Sequence, residues 1–197
     1  LLHMADIYEI KRVCEDIAWD ALVHKAIGAT PFSTSAWLRC ASAANSGEIQ
    51  RLGVYRNNRL IAGLAGLARK RSGLYRLETP ELTPHTGLLL APVQSKGPTK
   101  VEAEQHRVCE LLINYIEQKY DHVFAVHTPA IADIRPFTWR GWDARLRYTY
   151  QMDLGDLDAL FKRFERRTRT VIRKAEKLGY ALEQTCLLYT SDAADDV

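Results

Sequence analysis

At 197 residues the chain is long enough for one domain with a buried core and too short for two of ordinary size. An apolar fraction of 47% and a charged fraction of 26% are those of a globular protein, and no apolar run approaches the roughly 18 residues that span a bilayer. A net charge of +3 is too small to mark a nucleic-acid binder, so sequence-specific DNA is not an expected partner. Cys14, Cys40, Cys109 and Cys186 have no paired spacing for zinc or a redox motif, and no metal site is expected. The first residues lack a basic start followed by a long apolar core, so the expected location is cytoplasmic.

Residues 6–9 predict a short opening strand, and residues 17–27 a helix with Trp19, Leu22, Val23 and Ala26 on one side. Pro31 turns the chain, after which Ser33 or Ser35 caps a second helix that carries Trp37, Leu38 and Ala41 and ends at residues 45–47. Residues 51–55 and 60–70, joined by Arg56, Asn57 and Asn58, predict an antiparallel hairpin. Gly63 and Gly66 weaken its second strand by propensity, which points to a packing requirement, a bulge or a close backbone approach there. Further strands are predicted at 72–78 and 87–90. Thr99 to Glu102 read as a capping box that opens a long helix, with Val101, Val108, Leu111, Leu112, Tyr115 and Ile116 on its buried face. Residues 122–127 predict a strand buried on both faces, residues 130–139 a short helix or loop, and residues 143–154 a long alternating strand.

The segment 148–183 carries the strongest signal. Leu157, Leu160, Phe161, Phe164, Val171, Ile172 and Ala175 recur at intervals of three and four, which predicts one helix with a single apolar stripe. Asp156 suits its N-cap and Gly179 its C-terminal left-handed position. Its other face is cationic: Lys162, Arg163, Arg166, Arg167, Arg169, Arg173, Lys174 and Lys177 stand against Glu165 and Glu176 alone.

In this segment the pattern TY.MDL, followed by a helix carrying R..R..IRKAEK.GY, resembles the FemAB-like branch of the GNAT acyltransferase superfamily. Three upstream stretches agree with that family in order: ATPFSTSAWLR at 29–39, LTPHTGLLLAP at 82–92 and PFTWRGWDARLRYTY at 136–150. The resemblance implies an α/β fold of GNAT type, a mixed sheet flanked by helices on both faces. It implies one domain over residues 4–185, the first half of a tandem whose second GNAT-like half is missing. Residues 1–3 precede the first methionine, and residues 186–197, CLLYTSDAADDV, read like translated sequencing adapter, so that the chain is expected to be a fragment with a non-native tail.

The resemblance also sets the expected chemistry: transfer of an aminoacyl or acyl group to an amine of a cell-envelope (peptidoglycan) precursor or a similar acceptor. The donor would be aminoacyl-tRNA or acyl-CoA, and the partner a phosphate-bearing small molecule or aminoacyl-tRNA. Guanidinium forks match phosphate oxygens, so Arg166, Arg169 and Arg173, with Lys174 and Lys177, are the candidate phosphate ligands. Coenzyme A pyrophosphate is held in GNAT enzymes by a glycine-containing loop at a helix N-terminus, and Gln94, Gly97 and Thr99 occupy that place here, although Pro98 removes one N–H donor. An ordinary capped loop is the competing reading. No nucleophile and base can be paired from the sequence, and direct attack by an amine needs none. His85 and His127 are candidates to accept the proton. An acyl-CoA-dependent N-acyltransferase and a noncatalytic polyanion-binding module remain open alternatives.

Overall fold

β1 (Tyr8–Arg12), β2 (Glu48–Arg56) and β3 (Arg59–Arg71) form an antiparallel meander, described here from a computed structural model that covers residues 6–94 and 97–180. The expected non-native ends, residues 1–3 and 186–197, lie outside the described residues, as do Ser95 and Lys96 of the glycine-containing loop and residues 181–183 of the basic segment. Asn57 and Asn58 take φ of 48° and 66°, the left-handed pair that a two-residue hairpin turn needs. Asn57 also ties down β1, accepting from Ile7 N–H and donating to Asp6.

The long β3 carries two partners on its other edge. β4 (Leu74–Glu78) pairs with its far end, and β5 (Leu88–Leu90) pairs with Ala62, Gly63 and Leu64. β6 (His122–Phe124) joins β4 in parallel, so the described residues form a six-stranded mixed sheet. α1 (Asp16–Val23) and α2 (Ser35–Ala44) cover one face, where Trp19, Leu22, Val23 and Leu38 pack with Ala65 and Leu89. α3 (Pro98–Lys119) covers the other through Val108, Cys109, Leu112, Ile113 and Ile116, against Leu52, Val54, Ala62, Leu64, Leu88 and Leu90. Burying each such aliphatic side chain is worth about 1.5–3 kcal/mol. The expected mixed sheet with helices on both faces is what the structure has.

The two glycines of β3 have a packing reason. A Cβ on Gly63 would lie 2.8 Å from the Trp19 ring, and one on Gly66 would lie 2.8 Å from Leu77. Trp19 in turn donates from its indole to the Ser33 carbonyl at 2.7 Å, which satisfies its polar edge in a fully buried setting.

Several local expectations are corrected. The cap of α2 is Thr34, whose Oγ accepts from Trp37 N–H, because Ser35 is held by both carboxylate oxygens of Asp20. Thr99 lies inside α3, whose N-cap is Gly97, and Glu102 turns away from the expected capping box to Arg135. The strand at 122–127 shortens to β6 and is not buried on both faces: it sits at the edge of the sheet, with His122 and Phe124 exposed. Residues 143–154 form no strand.

After β6 a short α4 (Arg135–Thr138) seats Phe137 in the α3-side core. The chain divides into two compact units, Leu1–Ala144 and Arg145–Val197. The second holds α5 (Leu157–Arg163) and α6 (Arg166–Lys177), with Leu160 its one buried residue among those described.

Candidate functional site

The expected single basic helix is two. Asp156 caps α5 as predicted, accepting from Ala159 N–H at 2.9 Å, but α5 stops at Arg163, and the backbone is extended at Phe164 and Glu165 before α6 begins. The break has a local cause. Phe164 N–H closes the last turn on the Phe161 carbonyl, and Arg169 reaches back to the Lys162 carbonyl, so α5's terminal acceptors are met without helix continuation. The apolar stripe is divided with it. Phe161 and Phe164 face each other edge to face, whereas no residue of α6 is buried and Val171 is 61% exposed.

What α6 does present is a cationic line. Arg166, Thr170, Arg173 and Lys177 recur at intervals of four, three and four and so run along one side of the helix, with Arg169 and Lys174 flanking them. Among the described residues none of these cations pairs with a carboxylate. Their settings differ. Arg169 is half-buried as the cap of α5, and Arg173 lies over the Phe161 ring at 5.5 Å, which orders its guanidinium. Arg166, Lys174 and Lys177 are exposed. Oriented, unneutralised cations at this spacing can engage two or three phosphate oxygens.

In the first unit, Gln94, Gly97 and Thr99 lie at the entry to α3. Gly97 caps the helix with its backbone only, the Lys100 and Val101 N–H groups return to the Gly97 carbonyl, and the first turn holds no acidic residue. The positive helix end is therefore not countered by a side chain. Gln94 lines a cavity with Arg56, Arg59, Leu90, Gln105 and Val108.

The crevice where β5 and β6 diverge is closed. In open α/β sheets ligands enter at such divergences. Here Gly87 N–H donates to Val126 O at 3.1 Å, Leu88 N–H donates to His127 Nδ1 at 3.0 Å, and Ile27 and Leu90 exchange two backbone hydrogen bonds. Glycines make the closure possible: a Cβ on Gly87 would meet His127 Nδ1 at 2.3 Å, and one on Gly28, at φ 85°, would meet the Leu88 carbonyl at 2.4 Å. Burial pushes the His127 imidazole down to about 4, so it is neutral near pH 7, with its acceptor nitrogen spent on Leu88. That removes it as a proton acceptor for an incoming amine. His85 packs on Phe32 and lies 3.3 Å from Thr30 Oγ1. Of the carriers of this closure, His127 was legible in the sequence only as a candidate proton acceptor, and Gly28 and Gly87 carry no local signal of what they approach.

A second cluster also escaped the sequence. Glu102 and His106, one turn apart on α3, meet Asp133, and the three offer ligand atoms within 4.8 Å of one another. Arg135 occupies the cluster, donating to both Glu102 and Asp133, while His106 Nε2 lies 2.6 Å from Asp133. The Arg135 hydrogen bonds, with that of His106, hold the Asp133 carboxyl well below its usual range. The arrangement is a hydrogen-bonded ion-pair knot that ties α3 to α4. Trp139 covers it, edge-on to His106 and beneath Arg135. Trp142 packs on Phe137 and donates to Glu117, and Tyr148 is exposed. Cys109 is buried, which pushes its thiol up to about 12 and leaves it unreactive.

No protein-family model matches the sequence, and neither does any curated protein. Solved structures of similar shape include a transcriptional regulator from Bacillus halodurans, at 9% identity and a TM-score of 0.41, over 75% of this chain and 100% of that one. An aminoglycoside N-acetyltransferase in complex with CoA matches at 11% identity and 0.42, over 78% of this chain and 99% of its own. A ribosomal-protein-alanine N-acetyltransferase from Brucella melitensis matches at 10% and 0.39, over 76% of this chain and 100% of its own. At scores below one half these likenesses leave the chemistry to be read from the chain's own residues. No described helix is long and apolar enough to cross a membrane.

Proposed function

We propose that the chain is the first half of a FemAB-like acyltransferase of GNAT type, which transfers an aminoacyl or acyl group to an amine of a cell-envelope precursor or similar acceptor. The observation that carries this reading is the cationic line of α6, with Arg166, Arg173 and Lys177 aligned and, among the described residues, no carboxylate paired with them. These residues, flanked by Arg169 and Lys174, hold the phosphates of a nucleotide-linked or lipid-linked precursor or of aminoacyl-tRNA. In the transfer itself the acceptor amine attacks the acyl carbonyl directly. The leaving oxygen of an aminoacyl ester departs with its electron pair, and the amine gives up a proton to the medium or the substrate, so no covalent residue is required of the chain.

The closed crevice between β5 and β6 supports an ester donor carried on a polyanion over one with an extended thioester arm, because the outer N–H groups of Leu88 and Leu90 and the Leu90 carbonyl are already matched. A second reading, acyl-CoA dependence, is favoured by one feature only: the helix end at Gly97, with no acidic residue in its first turn, beside Gln94 and Thr99. Turnover assays with an amine acceptor, run in parallel with aminoacyl-tRNA and with acyl-CoA as donors, separate the two. Transfer from aminoacyl-tRNA, lost in Arg166→Gln/Arg173→Gln, is the expected result. Transfer from acyl-CoA alone, unaffected by those changes, would overturn the proposal. Steeply salt-dependent binding of tRNA without transfer from either donor would reduce the chain to a noncatalytic polyanion-binding module.

A further inference from the structure

Glu102, His106 and Asp133 offer one imidazole nitrogen and two carboxylates within 4.8 Å of one another, the one such group among the described residues. The expectation of no metal site rested on cysteine spacing, and none of these three is a cysteine. Glu102 and His106 stand four apart on α3 and so share a face of the helix. Asp133 comes to them from the loop ahead of α4, which is fixed on either side by Ile131 and Phe137 in the α3-side core. The backbone that carries the three groups is therefore held before any ligand arrives.

A cation already sits among them. Arg135 Nη2 donates to Glu102 and, at 2.8 Å, to Asp133 Oδ2, and its Nε donates to Asp133 Oδ1 at 2.9 Å. Two carboxylates against one guanidinium leave one negative charge in excess when the imidazole is uncharged. A guanidinium also has no use for an imidazole lone pair, whereas a divalent transition metal takes it together with both carboxylates. Arg135 is half-exposed and its guanidinium lies 5.6 Å from the centre of the Trp139 ring, so it has a face to rest on when displaced. We propose that Glu102, His106 and Asp133 form a binding site for a divalent transition metal of the zinc class, with Arg135 as the built-in cation that the metal displaces. Zinc bonds of about 2.0–2.1 Å in a tetrahedron set neighbouring ligand atoms about 3.4 Å apart. His106 Nε2 lies 2.6 Å from Asp133, and the two part by about 0.8 Å to admit the ion, a change within reach of side-chain rotation. One imidazole among the ligands favours zinc, cobalt or nickel over magnesium and calcium, which take oxygen ligands. Three protein ligands leave a position for water, and the bound ion clamps α3 to the segment that leads into α4.

Isothermal titration calorimetry of the full chain with Zn²⁺ reads binding and not turnover, so its outcome is independent of the proposed function. The expected result is one equivalent bound with a Kd below about 100 µM. His106→Gln and Glu102→Gln should each weaken it by about tenfold or more. Arg135→Gln separates a metal site from an ion-pair knot that needs no metal: with the competing cation gone, zinc should bind about threefold tighter or better. Co²⁺ locates the ion, since it should quench the fluorescence of Trp139, whose ring stands 5.4 Å from that of His106, and Trp139→Phe should remove that quenching while Zn²⁺ still binds. Absence of binding, equal affinity in His106→Gln, or zinc that binds no tighter to Arg135→Gln would overturn the proposal. So would quenching that Trp139→Phe leaves unchanged, or Mg²⁺ bound as tightly as Zn²⁺, the pattern of carboxylates acting without the imidazole. Far-ultraviolet circular dichroism of each variant confirms that the chain is folded, and because none of the changed side chains is buried, the fold is expected to persist.

Discussion

α3 and α6 are both amphipathic by sequence, yet α3 buries five side chains and α6 buries none. The same contrast separates β3 from residues 143–154: both carry a strand pattern, but the middle of β3 is buried between β2 and its partners on the other edge, whereas the large apolar side chains of the later segment are 61–99% exposed. Periodicity tells which face of a segment is able to leave water. Whether it does depends on a partner, and the partner is a property of the fold. In the first unit the meander supplies one on each side. In the second, the described residues supply α5 and α6 with little beyond Leu160 and the two phenylalanines.

That difference should appear first in core truncation. Leu112→Ala removes a fully buried side chain and is expected to cost about 2–5 kcal/mol in urea unfolding, whereas Val171→Ala should stay within about 0.5 kcal/mol. Equal effects would erase the distinction.

The next largest effect is a pH dependence confined to the first unit. The folded protein keeps His127 neutral down to about 4, while the unfolded chain protonates it near its ordinary value of 6.5. Between those values the unfolded state binds more protons, so the stabilising contribution is complete above 6.5 and is lost as pH falls toward 4, by about 2–3 kcal/mol. Glu78 acts in the same direction at lower pH. Burial alone would raise its carboxyl, but hydrogen bonds from Arg69 and the charges of Arg69 and Arg76 outweigh that and hold it below the usual range. Stability measured from pH 7 to 4 should therefore fall, and His127→Gln, which keeps an acceptor for Leu88 N–H, should flatten the part of the fall between 6.5 and 4. An unchanged slope would remove His127 from the closure.

Gly63→Ala should cost about 1–3 kcal/mol by pressing a methyl group on Trp19 and the Leu52 carbonyl. The smallest effect belongs to the exposed charges: Glu102→Gln, in its half-exposed pair with Arg135, should shift stability by less than about 1 kcal/mol. A larger loss would mean that the knot with His106 and Asp133 stabilises α4 more than its exposure suggests.

Much of the first unit was legible because its signals are local. The hairpin at Asn57 and Asn58 and much of the buried side of α3 follow from residues within a few positions, and the glycines at 63 and 66 signalled a packing requirement, though not their partners Trp19 and Leu77. The closure of β5 was not legible, because Gly28, Gly87 and His127 meet only through pairings set by the sheet. Thr34 displaced its serine neighbours as a cap because Asp20, fifteen positions away, had claimed Ser35. In the candidate site the aligned arginines were readable from spacing, while the break at Phe164 and Glu165 was not: it depends on Arg169 reaching an α5 carbonyl, a contact that no periodicity encodes.

The direct test of the cationic line is a binding titration of tRNA and of inorganic pyrophosphate against the full chain, repeated at rising salt, for the unaltered protein and for Arg166→Gln/Arg169→Gln/Arg173→Gln. The expected result is salt-sensitive binding that the triple variant weakens by at least about tenfold, with the unfolding of the first unit unchanged. Equal affinity for both proteins would make the arginines of α6 a solvated surface and contradict the proposed function.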